Sequence, residues 1–168
     1  MVWSTTAAVS GIAKTWLAYH RHTVVDVSVS GVVKADPERV FAYLADLANW
    51  PIWQSDMKTT ELLEGEAGKA GARYRYVSKA MGQTIDSTVR LVKVDAPREV
   101  AFEGEWAGMI RPNGRYLVEP AAGGTRVTLN PHPATRGLGS LLAPLLATMI
   151  RRLNRQHIAA LQEVFGPG

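Results

Sequence analysis

The chain has 168 residues, 46% of them hydrophobic, which suffices for one compact domain with a core and room for a small cavity. It contains no cysteine, which excludes a disulfide framework, a thiolate metal site and a thiol nucleophile. The net charge of +4 is modest and its basic residues are scattered apart from RRLNRQH at 151–157, so we expect no nucleic-acid partner.

Residues 1–22 are predicted to be an N-terminal extension to a single domain at 23–168. The extension has no early positive charge and its apolar character is broken by Ser10, Gly11 and Lys14, so it matches neither a signal peptide nor a transmembrane segment. Ile12, Trp16 and Tyr19 recur at helical spacing, which predicts a short amphipathic helix. This helix packs on its own domain or supports a homodimer, and we expect a cytoplasmic protein.

The domain is predicted to begin with a strand and two helices. Valines alternate with polar residues over 24–33, the period of a strand with one buried face. Asp36 can then cap a helix that has Pro37 in its first turn and apolar residues at helical spacing as far as Leu47. Pro51 restarts the backbone, which predicts a short second helix over PIWQ.

The rest of the chain predicts a meander followed by a helix. Residues 57–131 divide into about six short runs separated by turns rich in Gly, Pro, Asn and Asp, as in antiparallel strands. Residues 136–166 carry one apolar stripe over about seven turns, which predicts a long helix. Pro144 requires that this helix be kinked or that the proline lie in its first turn.

Three segments in this order carry a resemblance to a known family. They are ADPERVFAYLADLANWPIW at 35–53, RYLVEPAAGGTRVTL at 115–129 and GLGSLLAPL at 137–145. The chain resembles the START-like, birch-pollen-allergen-like (SRPBCC) superfamily, and within it the bacterial polyketide cyclase/dehydrase branch. The resemblance implies an α+β helix-grip fold, in which a curved antiparallel sheet of about seven strands wraps around a long C-terminal helix.

The resemblance also implies a function class. Members of the superfamily bind hydrophobic ligands between the sheet and the helix, and most need no metal or organic cofactor. It therefore implies a hydrophobic small molecule as partner and, in the enzymes, a cofactor-free lyase or isomerase of the polyketide cyclase/dehydratase type. A non-catalytic lipid, sterol or quinone carrier or sensor, and a protein-interaction module that uses RRLNRQH, stay open as alternatives.

Catalytic candidates are polar groups on strands or at strand ends. Tyr74 and Tyr76 alternate with arginines and are predicted to face inward, because a buried unpaired arginine is costly. Asp86 is a general-base candidate if its face lines the cavity. Glu103 is a candidate acid or base, although its strand alternation also fits an outward face. His132 follows the last strand, near the expected cavity entrance.

The ligand-binding candidates are large apolar or aromatic side chains. Trp50 and Trp53 lie three residues apart, so they either wedge the short helix against its surroundings or line the cavity mouth. Phe102, Trp106 and Tyr116 join this set from predicted inward strand faces, and Met57, Met109 and Met149 join it because methionine suits an adaptable apolar ligand surface.

Histidine spacing gives no sign of a metal site. The four histidines are His20, His22, His132 and His157, and they do not form a face with three ligands. We therefore expect neither a metal nor another cofactor.

Overall fold

The computed structural model of the protein describes residues 22–80 and 82–168. The helix predicted within 1–22 therefore lies outside the described residues, except for His22. The elements in chain order are β1 Thr23–Val24, β2 Val29–Val33, α1 Pro37–Ala45, a 3-10 turn Leu47–Asn49, α2 Trp50–Trp53, β3 Met57–Glu64, β4 Arg73–Ala80, β5 Gln83–Asp95, β6 Glu99–Gly104, β7 Ile110–Arg111, β8 Asn113–Ala121, β9 Gly124–Pro131, β10 Ala134–Thr135, α3 Leu138–Leu141 and α4 Ala143–Phe165.

The strands form two antiparallel sheets. Seven of them make the main sheet, in the order β2-β9-β8-β6-β5-β4-β3, and the three shortest make a second sheet, β1-β10-β7. The pairs from β3 to β6, and the pair β8 and β9, are consecutive, as expected for a meander. The main sheet, the short helices after β2 and the C-terminal helix confirm the predicted α+β helix-grip fold.

The connection from β2 to β3 is helical, as predicted. Pro37 lies in the first turn of α1, whose buried residues Val40, Phe41 and Leu44 face the sheet. Asp36 occupies the N-cap position, but its side chain makes no capping hydrogen bond. Asp46 instead caps the following 3-10 turn, because its Oδ1 accepts a hydrogen bond from the backbone N–H of Ala48 at 3.0 Å.

The C-terminal segment is two helices rather than one. It breaks at Leu142, and Pro144 lies in the first turn of α4, where a proline costs no hydrogen bond. The buried residues of α4 all lie in its C-terminal half, which packs chiefly on β2. Gly31 on β2 permits this close approach, because a Cβ there would lie 2.3 Å from Ile158 Cγ2.

The N-terminal half of α4 is held away from the sheet. Gln162 donates a hydrogen bond to the carbonyl of Val32, and Lys34 N–H donates to that of Gly166, so the anchoring contacts lie near the end of the helix. The space between the sheet and residues 146–157 is therefore not closed by direct packing. In the described part of the chain, no helix is both long enough and apolar enough to cross a membrane.

Candidate functional site

A cavity of about 540 Å³ lies between the inner face of the main sheet, α2 and residues 146–157 of α4. Its wall is mostly apolar, with polar groups in a minority. It is formed by Trp50, Trp53, Gln54, Asp56, Met57, Tyr76, Ser78, Lys79, Ala80, Ile85, Val89, Phe102, Ala107, Ile110, Pro112, Asn113, Tyr116, Pro131, Pro133, Leu146, Met149, Ile150, Arg152, Leu153, Asn154, Gln156 and His157. A volume of this size accommodates a small organic molecule.

Five aromatic side chains form one side of the cavity. Trp50 meets Tyr76 and Phe102 edge-on, with ring centroids 6.1 and 5.2 Å apart, and Trp53 meets Tyr116 edge-on at 5.6 Å. All five are buried. Edge-to-face contacts hold aromatic rings in defined orientations, so this wall is largely preformed before any ligand binds.

Two tyrosine hydroxyls of this wall are kept protonated. Burial raises the pKa of Tyr116 far above its ordinary value and also raises the pKa of Tyr76. Gln54 Nε2 donates to the hydroxyl oxygen of Tyr116 at 3.0 Å, which leaves the phenolic proton itself free to be donated. Both tyrosines can therefore act as hydrogen-bond donors, but not as bases, at neutral pH.

The raised pKa of Tyr116 predicts an alkaline loss of stability. Below pH 10 the phenol is protonated in the folded and unfolded states, so it adds no pH dependence. Above pH 10 only the unfolded state loses the proton, so the free energy of unfolding falls as the pH rises. Urea denaturation at pH 9, 10 and 11 should show this fall. Tyr116→Phe should make it less steep without abolishing it, because burial also raises the pKa of Tyr43, Tyr74 and Tyr76. A parallel fall in the variant would contradict the assignment.

A buried histidine lies on the helix side of the cavity. His157 of α4 is 4% exposed, and its Nε2 lies 3.1 Å from Oδ1 of Asp56, which precedes β3. Its Nδ1 lies 3.3 Å from Oδ1 of Asn154, one turn earlier on the helix. The ring of Trp53 meets the imidazole edge-on at 5.8 Å. The imidazole is thus held by contacts on three sides.

Several polar atoms of this region have unused hydrogen-bonding capacity. His157 Nε2 and Asp56 Oδ1 lie 3.1 Å apart, yet neither atom has a hydrogen-bond partner within 22–80 and 82–168. Trp53 Nε1 and Asn113 Oδ1 are likewise buried, and neither has a hydrogen-bond partner in these described residues. Buried polar atoms are normally satisfied, so unsatisfied ones on a cavity wall indicate places where a ligand or water can bind.

The structure places six of the eight predicted ligand-binding residues on this cavity: Trp50, Trp53, Met57, Phe102, Tyr116 and Met149. Tyr76, predicted as catalytic, is also on its wall. The predicted inward orientation of Tyr74 and Tyr76 is confirmed, since both are buried. Tyr74 nevertheless lies behind the cavity, where its hydroxyl donates to Asp46 and accepts from Gly68 N–H.

Asp86 and Glu103 are on the outer face of the sheet, away from the cavity. Arg75 holds Asp86 through two hydrogen bonds of 2.8 and 2.5 Å, which keep the pKa of this exposed carboxyl below its ordinary value. Glu103 accepts a hydrogen bond from Arg111 at 2.8 Å. Strand alternation explains both positions, because the neighbouring residues Ile85 and Phe102 are the ones that point inward.

The last three predicted residues lie beside the cavity but not on its wall. His132 Nδ1 contacts the backbone oxygen of Asn130 at 3.1 Å. Trp106 stacks at 4.6 Å under the guanidinium of Arg136, an arrangement typical of a cation–π contact. Met109 is 47% exposed, next to the start of α3.

Sequence reasoning missed the polar groups of the cavity. His157 occupies a position on the apolar stripe of the C-terminal helix, and a histidine in that stripe was the available signal. Gln54, Asp56, Asn113 and Asn154 belong to loops, a strand end and a helix, with no shared spacing that would group them. Only the folded chain brings them to one cavity.

Comparison with known proteins gives one family and many similar folds. A family model described as polyketide cyclase/dehydrase and lipid transport matches residues 24–166. No curated protein is significantly similar in sequence.

Three solved structures illustrate the likeness of fold. TTHA0849 from Thermus thermophilus is 22% identical, with a TM-score of 0.67, over 82% of this chain and 94% of the other. The Zhui aromatase/cyclase from Streptomyces sp. R1128 is 19% identical, with a TM-score of 0.67, over 84% and 92%. A START superfamily protein from Mycobacterium smegmatis is 13% identical, with a TM-score of 0.67, over 83% and 98%.

Proposed function

The chain belongs to the polyketide cyclase/dehydrase and lipid transport family, and from this premise we propose that its cavity binds a hydrophobic molecule bearing several carbonyl groups and promotes its cyclisation and dehydration. The observation that carries the proposal is the His157 and Asp56 pair, which has unused hydrogen-bonding capacity on the wall of an apolar, aromatic-lined cavity. An apolar wall with a few convergent polar groups is typical of a site for a small organic molecule. The similarity in fold to an aromatase/cyclase agrees with this reading.

The cavity supports an intramolecular aldol reaction followed by loss of water. Imidazole Nε2 of His157 accepts a proton from a methylene carbon that lies between two carbonyl groups, which leaves an enolate. The enolate carbon forms a bond to a second carbonyl carbon of the same chain, and the imidazolium returns a proton to the resulting alkoxide. Removal of the remaining proton on the nucleophilic carbon then expels the hydroxyl as water, with no change in overall oxidation state.

The other polar groups would hold the substrate and the base. The hydroxyls of Tyr76 and Tyr116 and Trp53 Nε1–H can donate hydrogen bonds to carbonyl oxygens, on which negative charge develops in the enolate. Asp56 would stabilise the protonated imidazole, and Asn154 would orient its other nitrogen. The aromatic wall would hold the substrate in a folded conformation, so that its reacting carbons are close to each other.

Binding can be tested separately from the reaction by filling the cavity. Ile85→Phe on β5 adds volume toward the cavity and should lower the affinity for a fluorescent polyphenol probe by about tenfold, since overpacking of a formed site costs about 1–3 kcal/mol. Val92→Phe is the matched control, because Val92 is an exposed residue of the same strand. Equal affinities of the two variants in a fluorescence titration would contradict binding in this cavity.

The reaction is tested with a synthetic poly-β-ketone chain. We expect the protein to change both the rate of its disappearance and the distribution of ring products relative to the spontaneous reaction in buffer, as measured by chromatography with mass detection. If the poly-β-ketone binds but its rate of disappearance and its products are unchanged, the protein is a carrier or sensor of hydrophobic molecules. Native mass spectrometry of the purified protein would then be expected to show a lipid or quinone that copurifies.

A further inference from the structure

A continuous patch of apolar side chains is exposed beside the cavity. It consists of four leucines and a methionine on α3, at the break after it and in the first two turns of α4, each between 43% and 77% exposed: Leu138, Leu141, Leu142, Leu145 and Met149. Single exposed leucines are ordinary, but a contiguous group of this kind indicates a surface that is covered by something else. We call it the apolar patch. Met149 also lines the cavity, so whatever covers the patch lies at the cavity rim.

The described chain begins beside this patch and points toward it. Thr23 of β1 pairs with Thr135 of β10, and its carbonyl accepts a hydrogen bond from the Thr135 hydroxyl at 3.0 Å. Because the two strands are antiparallel, the chain before Thr23 runs in the direction of Arg136 and α3. His22 already follows this course, since its ring lies 5.1 Å from that of Trp106, which in turn stacks on Arg136.

The segment that precedes His22 has the composition of a partner for the patch. Residues 1–21 contain no aspartate or glutamate, and Ile12, Trp16 and Tyr19 recur at helical spacing. These apolar residues need burial as much as the patch does. A helix rises about 1.5 Å per residue, so the roughly 20 residues before His22 can form a helix of several turns, long enough to contact side chains of both α3 and the start of α4.

We propose that residues 1–21 dock on the apolar patch of their own chain, with the Ile12, Trp16 and Tyr19 face against the exposed leucines. The short connection from Tyr19 to β1 makes the docking intramolecular, with an effective concentration on the order of millimolar. A second copy of the chain or a lipid surface would have to displace a segment that is already attached next to the patch.

Cysteine labelling tests this docking in the full chain, because the natural sequence has no cysteine and a single introduced thiol is unique. Leu141→Cys places the thiol in the middle of the patch. We expect it to react with a bulky maleimide about tenfold more slowly when the extension is intact than when the extension also carries Ile12→Asp and Trp16→Asp. The matched control, Val92→Cys on β5, should react equally fast in both backgrounds.

A second measurement identifies the occupant and does not depend on the aspartate variants. Trp16→Cys combined with Leu145→Cys should give a bis-maleimide cross-link within one chain, seen as a monomer of altered mobility, at every protein concentration. Cross-linked dimers, or protection of the Leu141→Cys thiol that grows with protein concentration, would overturn the proposal in favour of a second copy. Protection that requires vesicles of anionic phospholipid would overturn it in favour of a lipid surface, and fast labelling of that thiol with the extension intact would overturn docking altogether.

Discussion

Replacing His157 by glutamine is expected to lower kcat/KM for cyclisation of a poly-β-ketone by about 10²–10⁴-fold, the range associated with loss of a positioned general base. Glutamine retains a polar amide near the position of Nε2, so its contact with Asp56 and its packing against Trp53 are largely preserved. It cannot, however, take up a proton from carbon. Ligand affinity, measured by fluorescence titration, should therefore change by no more than about threefold.

Asp56→Asn and Asp86→Asn form a matched pair of controls for this experiment. Both remove one carboxylate charge, but only Asp56 lies beside the imidazole, whereas Asp86 is paired with Arg75 on the outer face of the sheet. The Asp56 variant should lower kcat more than it raises KM, since Asp56 acts through His157. An unchanged rate in His157→Gln, with binding intact, would remove His157 from the chemistry and leave the binding function standing.

The fold could be predicted because its determinants are local. Strand alternation, the proline positions and the apolar helical stripe each act over a few residues, and their order leaves few topologies for a chain of this length. The helix break at Leu142 could be predicted only in part from local sequence features. Pro144 signalled an interruption, but only the packed structure shows that α4 starts there and that α3 stands apart from it.

The cavity wall divides by chemistry into what was predictable and what was not. Aromatic and methionine residues on inward strand faces follow from alternation, which is why Tyr76, Phe102 and Tyr116 were found. The His157 and Asp56 contact joins the last helix to the residue before β3. These residues are far apart in the sequence, so no local spacing pattern predicts that they are in contact. Strand alternation also did not decide whether Asp86 faces the cavity or the solvent, because alternation establishes which residues share a face but not which face is buried.

Replacing Trp53 by alanine is expected to lower the free energy of unfolding by about 3–5 kcal/mol, the usual cost of removing a buried large aromatic side chain. Trp53 is 2% exposed and contacts the rings of Tyr116 and His157, so its removal opens a void that joins the cavity. Trp53 therefore has both of the roles considered for the Trp50 and Trp53 pair: it packs α2 against its surroundings and it lines the cavity. Urea denaturation of the ligand-free protein measures the expected loss.

Ile52→Ala is the neighbouring control, because Ile52 is 64% exposed on the same short helix and should change the free energy of unfolding by no more than about 0.5 kcal/mol. Trp53→Phe separates packing from binding. It keeps most of the buried ring but removes Nε1–H, which has no protein partner in the described part of the chain. The free energy of unfolding should therefore fall by less than the free energy of ligand binding does. If Trp53→Ala kept its full stability and lost only the ligand, Trp53 would be a binding residue that contributes little to holding α2 on the sheet.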